Sequence, residues 1–188
     1  MMATTHGLIG VLTALPLYFI SPELFMAGVT GAFAGGIFPD LDLYHGHRKM
    51  LHYPLYYNFA WMAILPVLLI YPVPNTAAVF FFLLSAGVHC YSDRFGGPKD
   101  SRPWKNDSGE AVYSHYHSKW LRPEKIIPYD GSKEDFVVLL LASIPTIYLI
   151  RGNLRLITIL LVIMSGLYTL FRRKGMKWLP NRFLRNEI

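Results

Sequence analysis

The sequence predicts an all-α protein: a polytopic membrane helical bundle of about six spans with a polar cytoplasmic segment. Three observations carry that prediction. Hydrophobic residues make up 53% of the 188 and charged residues only 16%, with a positive mean hydropathy of +0.31, which is apolar for a soluble domain of this size. The apolar residues fall into six runs, near 7–20, 23–39, 55–73, 76–92, 136–150 and 154–171. The third observation is where the cations fall. Six spans with an internal N-terminus put 40–54, 93–135 and 172–188 on one side, and that side takes sixteen of the 18 Lys and Arg residues, leaving Arg151 and Arg155 on the other. By the positive-inside rule the crowded side is cytoplasmic.

Taken in order, the first run follows "MMATTHGLIG", which has no basic residue ahead of its apolar stretch. A cleavable signal peptide carries a positive n-region, so the first span is expected to be retained. Runs one and two meet at "SPE" (21–23) and are short for ~30 Å of hydrocarbon at 1.5 Å per residue. Run five is short too and contains Pro145. Four full spans plus a shallow hairpin is therefore the alternative count. In run two, Gly31 and Gly35 form a GxxxG pair beside Gly28, Ala32 and Gly36, a spacing that lets helix backbones approach closely.

The whole chain, 1–188, reads as a single membrane-embedded domain. Within it, 93–135 is polar, rich in Gly, Pro and aromatic residues, and long for a connection, which suits a lid-like cytoplasmic segment. The tail 172–188, "RRKGMKWLPNRFLRNEI", alternates basic and aromatic residues and suits an anionic membrane surface better than nucleic acid. The one cysteine, Cys90, excludes an intrachain disulfide and is a poor nucleophile candidate within an apolar helix. There is no GxSxG elbow, Gly-rich phosphate loop or dinucleotide fingerprint.

The candidate chemistry lies at the span ends. "GIFPDLDLYHGHRKMLH" (36–52) holds Asp40, Asp42, His45, His47 and His52, and "HCYSD" closes run four with His89 and Asp93. His6 starts run one. The six-span topology brings all of these to one face of the membrane from four different spans. His89 and Asp93 are four apart, so on a helix both can reach one cation, and a histidine inside an apolar run is costly unless paired or functional. Asp40 alone reads first as a turn cap after Pro39; beside His52 and the HxxxD pair it reads as a ligand. Histidine nitrogen with aspartate oxygen suits zinc, with manganese or iron as alternatives. His47 is a ligand or an outer partner of one, Arg48 a group that could hold a phosphate oxygen, and His45 an exposed loop residue. His115 and His117, in "SHYHS", read as surface residues or as further ligands.

The ordered set "TH" near the start, "PDLD", "HR" with a histidine five positions after its own, and "HxxxD" closing an apolar run resembles the YdjM-type inner-membrane metal-dependent hydrolase family, described also as LexA-binding. The likeness covers roughly residues 4–97. That family is regarded as a remote membrane relative of the zinc-dependent phospholipases C and single-strand nucleases. The resemblance implies that Asp40, His52, His89 and Asp93 hold one metal and that His6, with Asp93 bridging, holds a second. It implies for a third metal only His115, His117 and Glu124 as nearby candidates. Two departures stand out: Leu51 and Tyr53 flank His52 where the family has hydroxyl residues, and Lys49 replaces the glycine after "HR".

These readings converge on a metal-dependent hydrolase at the inner, cytoplasmic membrane, multi-pass with both termini cytoplasmic. It would act on a phosphoester or related ester through metal-activated water, with Asp40, His52, Asp93 and Arg48 as catalytic residues and His6, Asp40, His47, His52, His89 and Asp93 around one or two divalent ions. Its expected partners are the lipid bilayer and a phospholipid or other anionic substrate, with room for a protein partner. The alternatives are a non-catalytic regulatory or docking protein built round a structural metal cluster, and a metal or proton transporter.

Overall fold

A computed structural model describes residues 1–44, 46–100, 102–104 and 107–175. His45 and most of the basic tail lie outside the described residues. Each of the six apolar runs is helical. The elements are α1 (Ala3–Ala14), α2 (Leu17–Ile20), α3 (Pro22–Ile37), a 3-10 helix (Phe38–Tyr44), α4 (Pro54–Ile70), α5 (Pro74–Phe95), the strands β1 (Tyr113–Ser114) and β2 (Lys119–Trp120), α6 (Lys133–Leu149) and α7 (Asn153–Gly175).

Prolines punctuate the bundle. α3, α4 and α5 each begin on one, where the missing N–H costs no helical bond. The first apolar run divides into α1 and α2 at Leu15–Pro16, because proline cannot donate to the preceding turn. Pro145, by contrast, sits inside α6 without ending it. Four segments are long and apolar enough to cross a membrane: Ala3–Ile20, Pro22–Leu43, Pro74–Phe95 and Asn153–Arg172. α4 and α6, at 17 residues each, are shorter.

α1, α3 and α5 form the centre, α4 packs against α5, and α6 joins α1 to α7. The small residues of α3 explain the tight centre. A Cβ on Gly31 would lie 2.1 Å from the Ala78 carbonyl oxygen and one on Gly35 2.0 Å from that of Phe82, so α3 and α5 touch backbone to backbone, as their spacing predicts. Val11, Phe25, Val29, Ala32, Phe80 and Phe81 fill the apolar core beside that crossing. The outer faces are apolar as well: Leu156, Leu160, Ile163, Met164, Leu167 and Leu170 of α7 are all exposed, the pattern of a lipid-facing helix.

The polar segment is a folded cover for the end of α5. β1 and β2 pair antiparallel with Tyr113 opposite Trp120, and Ala111 and Val112 are fully buried. Backbone bonds from Glu124, Lys125 and Ile127 to Arg94, Gly96 and Phe95 tie the stretch after β2 to the end of α5. On its exposed side, the Lys125 ammonium beside Asp107 holds that carboxyl below the usual carboxylate range.

Candidate metal centre

Three helix ends meet at one end of the bundle. Asp40 comes from the 3-10 helix, His52 from the turn before α4, and His89 and Asp93 from the last turns of α5. One ligand atom from each of these four residues lies within 4.8 Å of all the others. His52, His89 and Asp93 are buried, with side chains no more than 1% exposed, whereas Asp40 is 18% exposed. The cluster is therefore closed on all sides but that of Asp40.

Each ring is held from behind. His89 Nδ1 lies 2.6 Å from the carbonyl oxygen of Gly36, which can only accept, so Nδ1 carries the proton. His52 Nδ1 lies 3.0 Å from Asp42 Oδ2, an acceptor too. Ser92 gives its hydroxyl hydrogen to the His89 carbonyl and takes one from His6 Nδ1 at 3.0 Å. In neutral imidazoles these assignments leave a bare lone pair on every Nε2.

Those lone pairs point inward at further acceptors. His52 Nε2 is 3.2 Å from His89 Nε2 and 3.3 Å from Asp93 Oδ2. His89 Nε2 is 3.5 Å from Asp40 Oδ1 and 3.6 Å from Asp93 Oδ2. His6 Nε2 is 2.9 Å from the other oxygen, Asp93 Oδ1, and its ring stacks on His89 at 3.8 Å. Asp93 is met by two protein cations, the Met1 ammonium 3.5 Å from Oδ1 and Arg48 Nε 3.0 Å from Oδ2; the acceptors of His52, His89 and Asp40 that face one another would be relieved further by a bound cation. Two imidazole nitrogens and two carboxylate oxygens form a donor set that could hold a metal ion, with each ring oriented by a partner on its far nitrogen, as at metal sites generally.

The local sequence builds this arrangement. α3 stops at Ile37 because Pro39 follows, and the tighter 3-10 winding turns Asp40 towards α5. Asp42 then organises the loop: its carboxylate accepts from the backbone N–H groups of Arg48, Lys49 and Leu51 as well as from His52. Gly36 lets α1 close in, since a Cβ there would meet the His6 carbonyl oxygen at 2.6 Å.

Asp40, His52, His89 and Asp93 thus come together as the sequence suggests, with His6 beside them on Asp93. His47 stands at the rim: its Nδ1 is 3.4 Å from Asp42 Oδ1, so it is an outer neighbour and not part of the group of four. Arg48 is buried, its guanidinium turned onto Asp93 and the Gly97 carbonyl. His115 bonds the Lys49 carbonyl and stacks on Tyr53, His117 bonds Ser114, and Glu124 pairs with Arg94; these three make no third metal site. Sequence reasoning missed the bonding role of Asp42, whose only signal is a second carboxylate two residues after Asp40. Comparison with protein-family models, curated proteins and solved structures finds no match.

Proposed function

We propose that this protein is an inner-membrane, metal-dependent hydrolase acting on a phosphoester or related ester at the cytoplasmic face, as the resemblance to the YdjM-type family suggests. The observation that carries the reading is the convergence of the Nε2 atoms of His6, His52 and His89 on the carboxylates of Asp40 and Asp93, Asp40 being the more exposed of the two. Asp40, His52, His89 and Asp93 would hold the ion, zinc by preference for this donor set, with His6 available to a second ion through Asp93. What the ion supplies when bound is water acidic enough to ionise near neutral pH and a Lewis acid for a phosphoryl or acyl oxygen. Asp40, the most exposed of the four residues, would hold the ion on the side from which water enters. His52, steadied by Asp42, keeps its ring fixed throughout. The topology that goes with this reading has six spans, α4 and α6 included, and both termini in the cytoplasm.

The cluster's position at helix ends supports this reading over transport, for which sites sit near the bilayer midplane between broken helices. A specific observation favours a second reading. The cluster joins α1, the 3-10 helix, the turn before α4 and α5, so a metal there could serve only to fasten the bundle of a regulatory or docking protein. Elemental analysis of the purified protein combined with turnover of a chromogenic phosphodiester and an acyl ester decides between them. Metal-dependent turnover lost in Asp40→Asn supports the hydrolase; full metal occupancy with no turnover of either ester supports the docking protein and sinks the enzyme.

A further inference from the structure

Two buried cations meet Asp93, the Met1 ammonium on Oδ1 at 3.5 Å and Arg48 on Oδ2 at 3.0 Å, and Arg48 is the one on the oxygen that faces His52 and His89. Its backbone has a φ of 60°, uncommon for a residue with a side chain, and it is held there on every side. The N–H donates to Asp42 Oδ1 at 3.1 Å, the carbonyl accepts from Tyr113 N–H at 3.0 Å, and Nη1 donates to the Gly97 carbonyl at 2.8 Å. Nε lies 3.0 Å from Asp93 Oδ2 but off the line of a hydrogen bond. The guanidinium therefore neutralises that oxygen by charge while leaving its lone pairs unclaimed. Asp93 Oδ2 is also the oxygen that faces both His52 Nε2 and His89 Nε2, the one an ion held by those two rings would share.

We infer that Arg48 is a fixed counter-cation on the ligand oxygen of Asp93, which holds down the centre's affinity for its ion and keeps that ion exchangeable, instead of meeting substrate. A permanent positive charge at contact distance from a ligand oxygen opposes an incoming divalent ion, and does so strongly where water is excluded. The same charge draws electron density from Asp93, so the ion is less fully neutralised by its ligands. The contacts to Asp42, Tyr113 and Gly97 keep Arg48 from swinging to the opening. The inference rests on the cluster being a metal centre, and is independent of whether that centre hydrolyses anything.

The test is zinc titration of the full chain in detergent against a chromophoric chelator, for wild type, Arg48→Gln and Arg48→Lys, with thermal unfolding as the check on folding. Arg48→Gln removes the charge and is expected to bind zinc at least about tenfold more tightly and to release it more slowly. Arg48→Lys keeps the charge without the planar fork, and is expected to stay within about threefold of wild type. A folded Arg48→Gln with unchanged or weaker zinc affinity overturns the inference and makes Arg48 a strut. Should Arg48→Gln not fold, Arg48→Lys decides alone: retained affinity supports the charge role, and a tenfold loss or failure to fold overturns it. Wild-type protein that takes up no zinc overturns the metal reading and this inference together, whereas absence of ester turnover touches neither outcome.

Discussion

Asp42 holds His52 by the ring: Asp42 Oδ2 and His52 Nδ1 are 3.0 Å apart, and the same carboxylate gathers three backbone N–H groups of the loop that leads to His52. The carboxylate thus fixes the tautomer of the ligand and the path of the chain that carries it. Asp42→Asn, which keeps the shape but loses the charge, is expected to lower metal affinity about 10- to 100-fold, read by competition with a chelator. Asp42→Ala strands the buried donors, each at about 1–3 kcal/mol, and is expected to lower the melting temperature as well. Wild-type affinity in Asp42→Asn would show that the bond has no bearing on the site.

Removing a ligand outright separates the centre from the fold. His89→Ala and Asp93→Ala are each expected to lose most bound metal while still inserting into the membrane, because α5 keeps its apolar length. His117→Ala, outside the group of four and bonded to Ser114, is expected to keep its full metal content. Elemental analysis of the three purified variants reads the result, and full stoichiometry in both ligand variants counts against the assignment.

Gly36 offers a test at the backbone. A methyl group at this position would sit 2.6 Å from the His6 carbonyl and 2.9 Å from Gly7 Cα, and backbone cannot step aside as a flexible side chain can. Gly36→Ala is expected to cost about 1–3 kcal/mol of stability and to weaken metal binding by displacing the carbonyl that orients His89. Thermal unfolding and metal titration of the same sample report both effects; a variant with an unaltered melting temperature contradicts the close contact.

Chelation should act on stability. An ion bound to the folded chain alone stabilises it by about 2.7 kcal/mol at a free concentration one hundred times its Kd. Exhaustive chelation is expected to lower the melting temperature in detergent, and added zinc to restore it. His89→Ala should melt at the same temperature with and without chelator, so a chelator effect of equal size in that variant would locate the ion elsewhere.

Reporter fusions at the two termini test the topology. Six spans place both reporters in the cytoplasm, with the tight turns near 21, 74 and 152 outside. An external C-terminal reporter makes the span count odd and removes the argument for a shared face.

How far the sequence anticipates this depends on how local the determinant is. His89 and Asp93 were legible because helical periodicity alone sets two residues four apart on one face, and a histidine in an apolar run draws attention. Asp40 and His52 were legible through the charge distribution that sorts span ends to one side. Asp42 was not, because its work consists of accepting backbone hydrogens from a loop whose closure no spacing reveals. The inward turn of Arg48 was not legible either, because it depends on a left-handed backbone and on Gly97, 49 residues away. The hairpin at Tyr113–Trp120 escaped notice since strands of two residues have no periodicity to read. The break at Pro16 shortened a run that hydropathy alone treats as continuous.

The order of the ligands along the chain sets a sequence of events during synthesis. Asp40 and His52 leave the ribosome before His89 and Asp93, and the carboxylate that faces His6, His52 and His89 belongs to the last of the four. Until α5 has emerged and settled against α3, no coordination sphere exists for an ion to fill. An ion held by this group would therefore be captured only after α5 is made, and a nascent chain halted before residue 93 would lack one of its four ligands.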